Sequence, residues 1–175
     1  MAGLEKGYTQ VYTGDGKGKT TAALGLTLRA SGCDLKVFIA QFIKGMEYNE
    51  IKALEKFQDN VTIKQYGKGC FIRKEPSEID IEMAKDGLKE IKQILTSGSY
   101  DVVILDEINV AVHFNLLKTE DVVEIIKTKP EKVELVLTGR KVAPEILEMA
   151  DLVTEMKEIK HYYNKGVIAR EGIER

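Results

Sequence analysis

"YTQVYTGDGKGKTTAALGLTLRASG", Tyr8 to Gly32, decides the fold of this chain. Its opening, Tyr8 to Thr13, is rich in aromatic and β-branched side chains and reads as a strand; Lys19 to Ser31 carries alanine and leucine at helical spacing. Gly32 is expected to end that helix as a left-handed cap. Between strand and helix lie Gly14, Gly16 and Gly18, which let the backbone turn tightly and approach an anion closely. The loop aims backbone N–H groups and the positive end of a helix at one point. Lys19 can bridge phosphate oxygens there, and the Thr20 hydroxyl suits Mg²⁺ (or Mn²⁺). Asp15, Lys17 and Thr21 complete the candidate ATP-binding run. Asp15 is expected to turn from the phosphates or meet a sugar hydroxyl, and Lys17 reads either as a second phosphate contact or as a solvated loop lysine. The common spacing G-x-x-x-x-G-K-[ST] would put glycine at position 13, where this chain has threonine, and Gly16 is extra. What happens to the nucleotide is therefore left open by the loop.

Working outward, "KVFIAQF" (Lys36 to Phe42), "VTIKQY" (Val61 to Tyr66), "DVVILD" (Asp101 to Asp106), "VELVLT" (Val133 to Thr138) and "LVTEM" (Leu152 to Met156) read as further strands. Several are apolar with little alternation, as strands buried on both faces are. Helices are predicted from Ser77, an N-cap with Asp80 three residues on, from Thr119 in "TEDVVEIIKT", and over "APEILEMA". Strands alternating with helices imply an α/β fold with a mainly parallel sheet covered on both faces.

Ligands of such folds gather at the carboxyl ends of the strands. "VVILDE" delivers Asp106 and Glu107 to that edge, where a magnesium triphosphate needs oxygen ligands. "LTGR" brings Arg140 to the same edge, placed to neutralise charge on a departing phosphate chain, and "QFIKG" ends there too. A glutamate beside the metal-binding aspartate also suits an ATPase that orients water, so an ATPase or nucleotide kinase releasing ADP stands as the alternative.

The chain has 175 residues, 43% hydrophobic and 31% charged, with net charge −2, which suits one domain over residues 1–175 and does not advertise a nucleic-acid partner. It has no run apolar enough to span a bilayer and no signal-like start, so a cytoplasmic protein without a membrane partner is expected. The two cysteines, Cys33 and Cys70, are too few and too far apart for a structural zinc site and read as reduced thiols. His113 and His161 read as surface or packing residues.

Six segments together carry a resemblance. "TGDGKGKTTAALGLTLRASG", "QFIKG", "VVILDEINVAV", "LTGR", "ADLVTEM" and "KHYYNKGVIAREGIE" stand in the order and approximate spacing of the ATP:corrinoid adenosyltransferases of the CobA/CobO/BtuR family. The chain resembles that family from about Gly7 to Glu174. The resemblance implies a P-loop NTPase-like (RecA-like) three-layer α/β fold. It implies ATP as cosubstrate, a corrinoid as substrate, and transfer of the 5′-deoxyadenosyl group to Co(I) with release of the whole triphosphate. A reduced flavoprotein donor and a homodimer are implied as well. Lys19, Glu107 and Arg140 are then the catalytic candidates, and Thr20, Asp106 and Glu107 the metal ligands. Arg29 corresponds to a family arginine near the nucleoside. In relatives an aromatic Gly-Phe-Thr-Trp loop displaces the lower cobalt ligand; here the aligned "GCFI" puts Cys70, Phe71 and Ile72 at the corrinoid, and the chain has no tryptophan.

Overall fold

The computed structural model describes residues 3–45, 49–68 and 76–174. In chain order its elements are β1 (Thr9–Thr13), α1 (Lys19–Ser31), β2 (Val37–Phe42), α2 (Asn49–Leu54), β3 (Val61–Tyr66), α3 (Glu78–Thr96), β4 (Val102–Asp106), α4 (Ile108–His113), α5 (Thr119–Thr128), β5 (Glu134–Thr138), α6 (Pro144–Met149) and β6 (Leu152–Glu155). All six strands are parallel, in the order β3-β2-β4-β5-β1-β6. Each strand expected from the sequence is present, and the family's three-layer α/β architecture is the one observed.

Strand alternation divides the core between the two faces of the sheet. Phe38, Ala40, Phe42, Val103 and Leu105 pack with Ala84, Leu88 and Ile91 of α3 and with Ile125 of α5. Val37, Ile39, Val102 and Ile104 face the other way, onto Ala23 and Ala30 of α1. β2 and β4 are buried along their whole length, which is why they read as unbroken apolar runs. β6, at the sheet's edge, is exposed throughout, so its residues are a mixture that pairs only with β1.

The N-cap expected at Ser77 is there. Ser77 N donates to Asp80 Oδ2 at 3.0 Å and Asp80 N donates to Ser77 Oγ at 3.3 Å, a reciprocal capping box. The expected left-handed cap at Gly32 is not: Gly32 has φ −67° and stays right-handed. Asp34 takes the left-handed position instead, at φ 58°. Leu35 N then reaches back to Ala30 O at 3.1 Å and Asp34 N to Ser31 O at 3.1 Å, so the closing turn comes two residues later and an aspartate fills it. Among the described residues, four short pieces have no counterpart in the sequence reading: α2, the 3-10 turn Glu55–Phe57 that follows it, α4 and a 3-10 turn over Tyr162–Lys165. Each spans six residues or fewer, too short for a helical period to declare itself.

Gly87 shows tertiary packing overriding propensity. In the middle of a helix, alanine is normally better than glycine by about 1 kcal/mol. A Cβ at Gly87 would stand 2.6 Å from ring carbons of Tyr66, whose ring is itself stacked on Phe42 at 5.6 Å. Gly87→Ala is therefore expected to destabilise the protein by about 1–3 kcal/mol, as overpacking does. Urea unfolding checks the sign; a stabilised variant would show that α3 shifts freely against β3.

Candidate active site

Because every strand points the same way, Thr13, Phe42, Asp106 and Thr138 all finish at one edge of the sheet. Tyr12 pairs with Thr138 and Gln41 with Asp106, which fixes the spacing of the loops that follow. The loop after β1 lies flat on the end of β6. Gly16 N donates to Met156 O at 2.6 Å, and a Cβ at Gly14 or Gly16 would come within 2.5 or 2.6 Å of that same oxygen. Gly14 and Gly18 also hold φ 91° and 120°, conformations that L side chains resist. Glycine is thus required here by contact and by conformation before any ligand is considered.

Lys19 opens α1 and turns its side chain back into the loop. Its Nζ donates to Gly14 O and Gly16 O, both at 2.7 Å, and the residue is only 7% exposed. Burial, then the charge of Arg140, pull its pKa down, against Glu107, Asp15 and Asp106. A buried cation held by carbonyl dipoles is poised to gain from an anion in the loop.

The acid edge is organised around Asp106, 1% exposed. Its Oδ1 accepts from the hydroxyls of Thr20 (2.9 Å) and Thr138 (2.8 Å). Its Oδ2 accepts from Lys44 Nζ (2.8 Å) and Gln41 Nε2 (3.3 Å), and Gln65 Nε2 steadies Gln41 Oε1 at 3.1 Å. Glu107 follows in the left-handed region, φ 62°, with its N–H on Thr138 Oγ1 at 3.0 Å. Burial first, and Asp106 second, raise the Glu107 pKa above the usual carboxylate value. Among the described residues that carboxylate has none of the side-chain donors its neighbour has, which is the condition a cation relieves.

Thr20, Asp106 and Glu107 offer one hydroxyl and two carboxylates, an all-oxygen set that fits a hard divalent ion. Among the described residues no three His, Cys, Asp or Glu side chains converge on a closed cage. An ion held here would take its remaining ligands from water and nucleotide, as Mg²⁺ commonly does.

The other sequence candidates are distributed as follows. Arg140 is exposed after Gly139, within electrostatic reach of both Lys19 and Glu107. Asp15 leans outward to Lys141 at 3.9 Å, and both side chains are largely in solvent. Thr21 is exposed on the first turn of α1. Arg29, ten residues along α1 from Lys19, is about 15 Å further down the helix axis, and its charge is felt at Tyr12 instead. Lys17 is neither bare nor in the loop's interior. Its Nζ donates to Glu174 Oε1 (2.9 Å), Ile173 O (3.1 Å) and Tyr162 Oη (3.3 Å), so the C-terminal segment is clasped to the loop. Arg170, then the Tyr162 hydroxyl, hold the Glu174 carboxyl low. His161 accepts from Tyr163 N at 3.0 Å and so caps the 3-10 turn, while His113 is exposed beside Phe114. Cys70, Phe71 and Ile72 lie outside the described residues.

Lys44 is the residue that sequence reasoning missed. In the sequence, "QFIKG" reads as the end of a strand at that edge and gives its lysine no role. The available signal was a basic side chain two residues beyond a wholly buried strand, on the edge that also carries Asp106.

A family model described as ATP:corrinoid adenosyltransferase BtuR/CobO/CobP matches residues 5–175. A corrinoid adenosyltransferase of Sinorhizobium is 36% identical over 173 residues, covering 97% of this chain and 81% of the relative. One from Escherichia coli is 37% identical over 171 residues, covering 97% of this chain and 86% of the relative. The corrinoid adenosyltransferase CobA of Salmonella typhimurium is 34% identical over 171 residues, again with 97% and 86% coverage.

Proposed function

This chain belongs to the ATP:corrinoid adenosyltransferase family and transfers the adenosyl group of ATP to a corrinoid; from that premise we propose how its residues divide the work. The observation that carries the assignment is the match of nearly the whole chain, residues 5–175, rather than the phosphate loop alone. An ATPase or kinase shares the loop but has no need of the other five segments.

In the proposed reaction, the electron pair of Co(I) in the corrinoid substrate forms the Co–C bond at C5′ of ATP. The C5′–O bond breaks, and its electron pair leaves with triphosphate. No proton has to be removed, so the protein needs no general base; it aligns the reactants and meets the charge that grows on the leaving oxygen. The loop amides between Gly14 and Thr20 and the Lys19 ammonium receive the triphosphate, with Asp15, Lys17 and Thr21 along the same run. Arg140 adds positive charge from the strand edge, and Arg29 lies toward the nucleoside. Thr20, Asp106 and Glu107 would hold Mg²⁺ or Mn²⁺, which when bound neutralises triphosphate charge. Thr20 donates its hydroxyl proton to Asp106, leaving oxygen lone pairs for that ion.

Cys70, Phe71 and Ile72 are proposed to meet the corrinoid, with Phe71 as the aromatic group of that loop. The same reading extends to one domain over residues 1–175, a homodimer in the cytoplasm, and a reduced flavoprotein that supplies electrons to cobalt. Among the described residues no helix is long and apolar enough to cross a membrane.

The test is an anaerobic reaction of the protein with Mg-ATP and chemically reduced cobalamin. The expected products are a photolabile cobalt alkyl and stoichiometric triphosphate. ADP and phosphate without cobalt alkylation would return the chain to the hydrolases.

A further inference from the structure

We propose that Lys44 is a mobile counter-ion of the active site: it occupies the cation seat at Asp106 when no divalent ion is there, and turns to the triphosphate when one arrives. The inference rests on the proposed metal seat at Thr20, Asp106 and Glu107. Three features converge on it.

The first is position. Lys44 Nζ lies 2.8 Å from Asp106 Oδ2 and 3.4 Å from Thr20 Oγ1, so an ammonium stands against two of the three groups assigned to the metal. A cation already fills the space that the donor set describes. The second is saturation. Asp106 takes donors from Thr20 and Thr138 on one oxygen and from Lys44 and Gln41 on the other. A carboxylate offers about four lone-pair sites, so Oδ2 can bind an ion directly only when one of its donors withdraws. Gln41 is anchored by Gln65 and belongs to a wholly buried strand, whereas Lys44 sits beyond the strand on a long flexible stem.

The third is the backbone that delivers Lys44. Ile43 holds φ 65°, a left-handed conformation that is costly for a β-branched residue. The turn is enforced from the next strand: a Cβ at Gly67 would come 2.7 Å from Ile43 C and 2.9 Å from Lys44 N. A strained residue and a close glycine contact together send the chain back over the edge, where Lys44 reaches Asp106. Such strain persists where the surrounding structure holds it, commonly at functional sites.

When a divalent ion and the triphosphate are both present, the ammonium is repelled from the ion and attracted to phosphate oxygens in the adjoining loop. Lys44 thereby offsets the charge of Asp106 in the empty enzyme and contributes charge to the leaving group in the loaded one. It is a positioning residue for the acid edge in the first state and a ligand of the triphosphate in the second.

The two states predict opposite effects of one substitution. In Lys44→Met, Mn²⁺ binding without nucleotide, read by electron paramagnetic resonance, is expected to tighten about fivefold, because a competing cation is gone. Binding of inorganic tripolyphosphate, read by calorimetry, is expected to weaken about tenfold, the scale of one charge-assisted contact. A lysine with only a structural role would weaken both or change neither, and unchanged or weaker Mn²⁺ binding in a folded variant overturns the proposal. If Lys44→Met does not fold, the wild-type protein with Mg²⁺ and tripolyphosphate decides by crystallography: Lys44 Nζ must leave Asp106 Oδ2, and its retention at 2.8 Å overturns the proposal. Neither measurement uses a corrinoid, so their failure leaves adenosyl transfer standing. Failure of cobalt alkylation would in turn leave the exchange of Lys44 untouched.

Discussion

Lys19→Ala is expected to lower kcat/KM for adenosyl transfer about 100- to 1,000-fold, the range for losing one preorganised donor to developing negative charge. The Lys19 ammonium is nearly out of solvent and, among the described residues, donates to the carbonyls of Gly14 and Gly16, at 2.7 Å each. Those dipoles compensate its charge in part, and burial already lowers its pKa. Triphosphate supplies the missing negative charge, most of all as the C5′–O bond breaks. The fold should tolerate the change. Truncation leaves two carbonyls without a partner, but it also removes a poorly solvated cation, and the opposing terms are each of the order of 1–3 kcal/mol. Steady-state kinetics with saturating reduced cobalamin, paired with thermal unfolding, separates the outcomes. Wild-type turnover would remove Lys19 from the mechanism, whereas a collapse in stability would assign it to the loop's architecture.

What was legible in the sequence follows from how each feature is encoded. β2 and β4 are buried on both faces, so composition alone marked them. The phosphate loop was legible because Gly14, Gly16 and Gly18 answer to a backbone that allows almost no other residue. Ser77 and Asp80 announced their helix through bonds made within four residues. The misplaced cap at Gly32 has the converse cause. Propensity points to glycine as the left-handed residue, yet Asp34 tolerates that conformation, and the chain closes its turn there. Lys44 was invisible for another reason. Its role depends on Asp106, 62 residues away, and on the approach of Gly67 to the Ile43–Lys44 peptide, neither of which has a local signature. The clasp of Lys17 on Glu174 spans 157 residues and was hidden likewise.

Glu107→Gln is expected to impair the enzyme and stabilise the empty protein. The Glu107 pKa is raised above its ordinary 4.5 by burial and by Asp106. The folded protein therefore binds this proton more tightly than the unfolded chain does. Below pH 4.5 the carboxyl is neutral in both states and costs nothing. As pH rises from there toward the folded pKa, the unfolded chain ionises first and stability is lost; above the folded pKa the penalty is constant. Glutamine never ionises, so the variant should melt higher than wild type at pH 7, and the difference should close as pH falls below 4.5. The same substitution removes a negatively charged ligand from the proposed metal seat. Affinity for the metal-ATP complex should drop by about 10- to 100-fold or more, the range seen even for residues that only support a ligand. Opposite signs in stability and binding are what a buried carboxylate kept for a cation predicts. A variant that melts lower at pH 7 and binds metal-ATP normally would instead make Glu107 a cap for α4 and leave Asp106 and Thr20 as the seat. Wild-type protein offers an internal control: Mg²⁺ with tripolyphosphate should raise its melting temperature more than that of Glu107→Gln, because only the wild type has a strained charge for the ion to relieve.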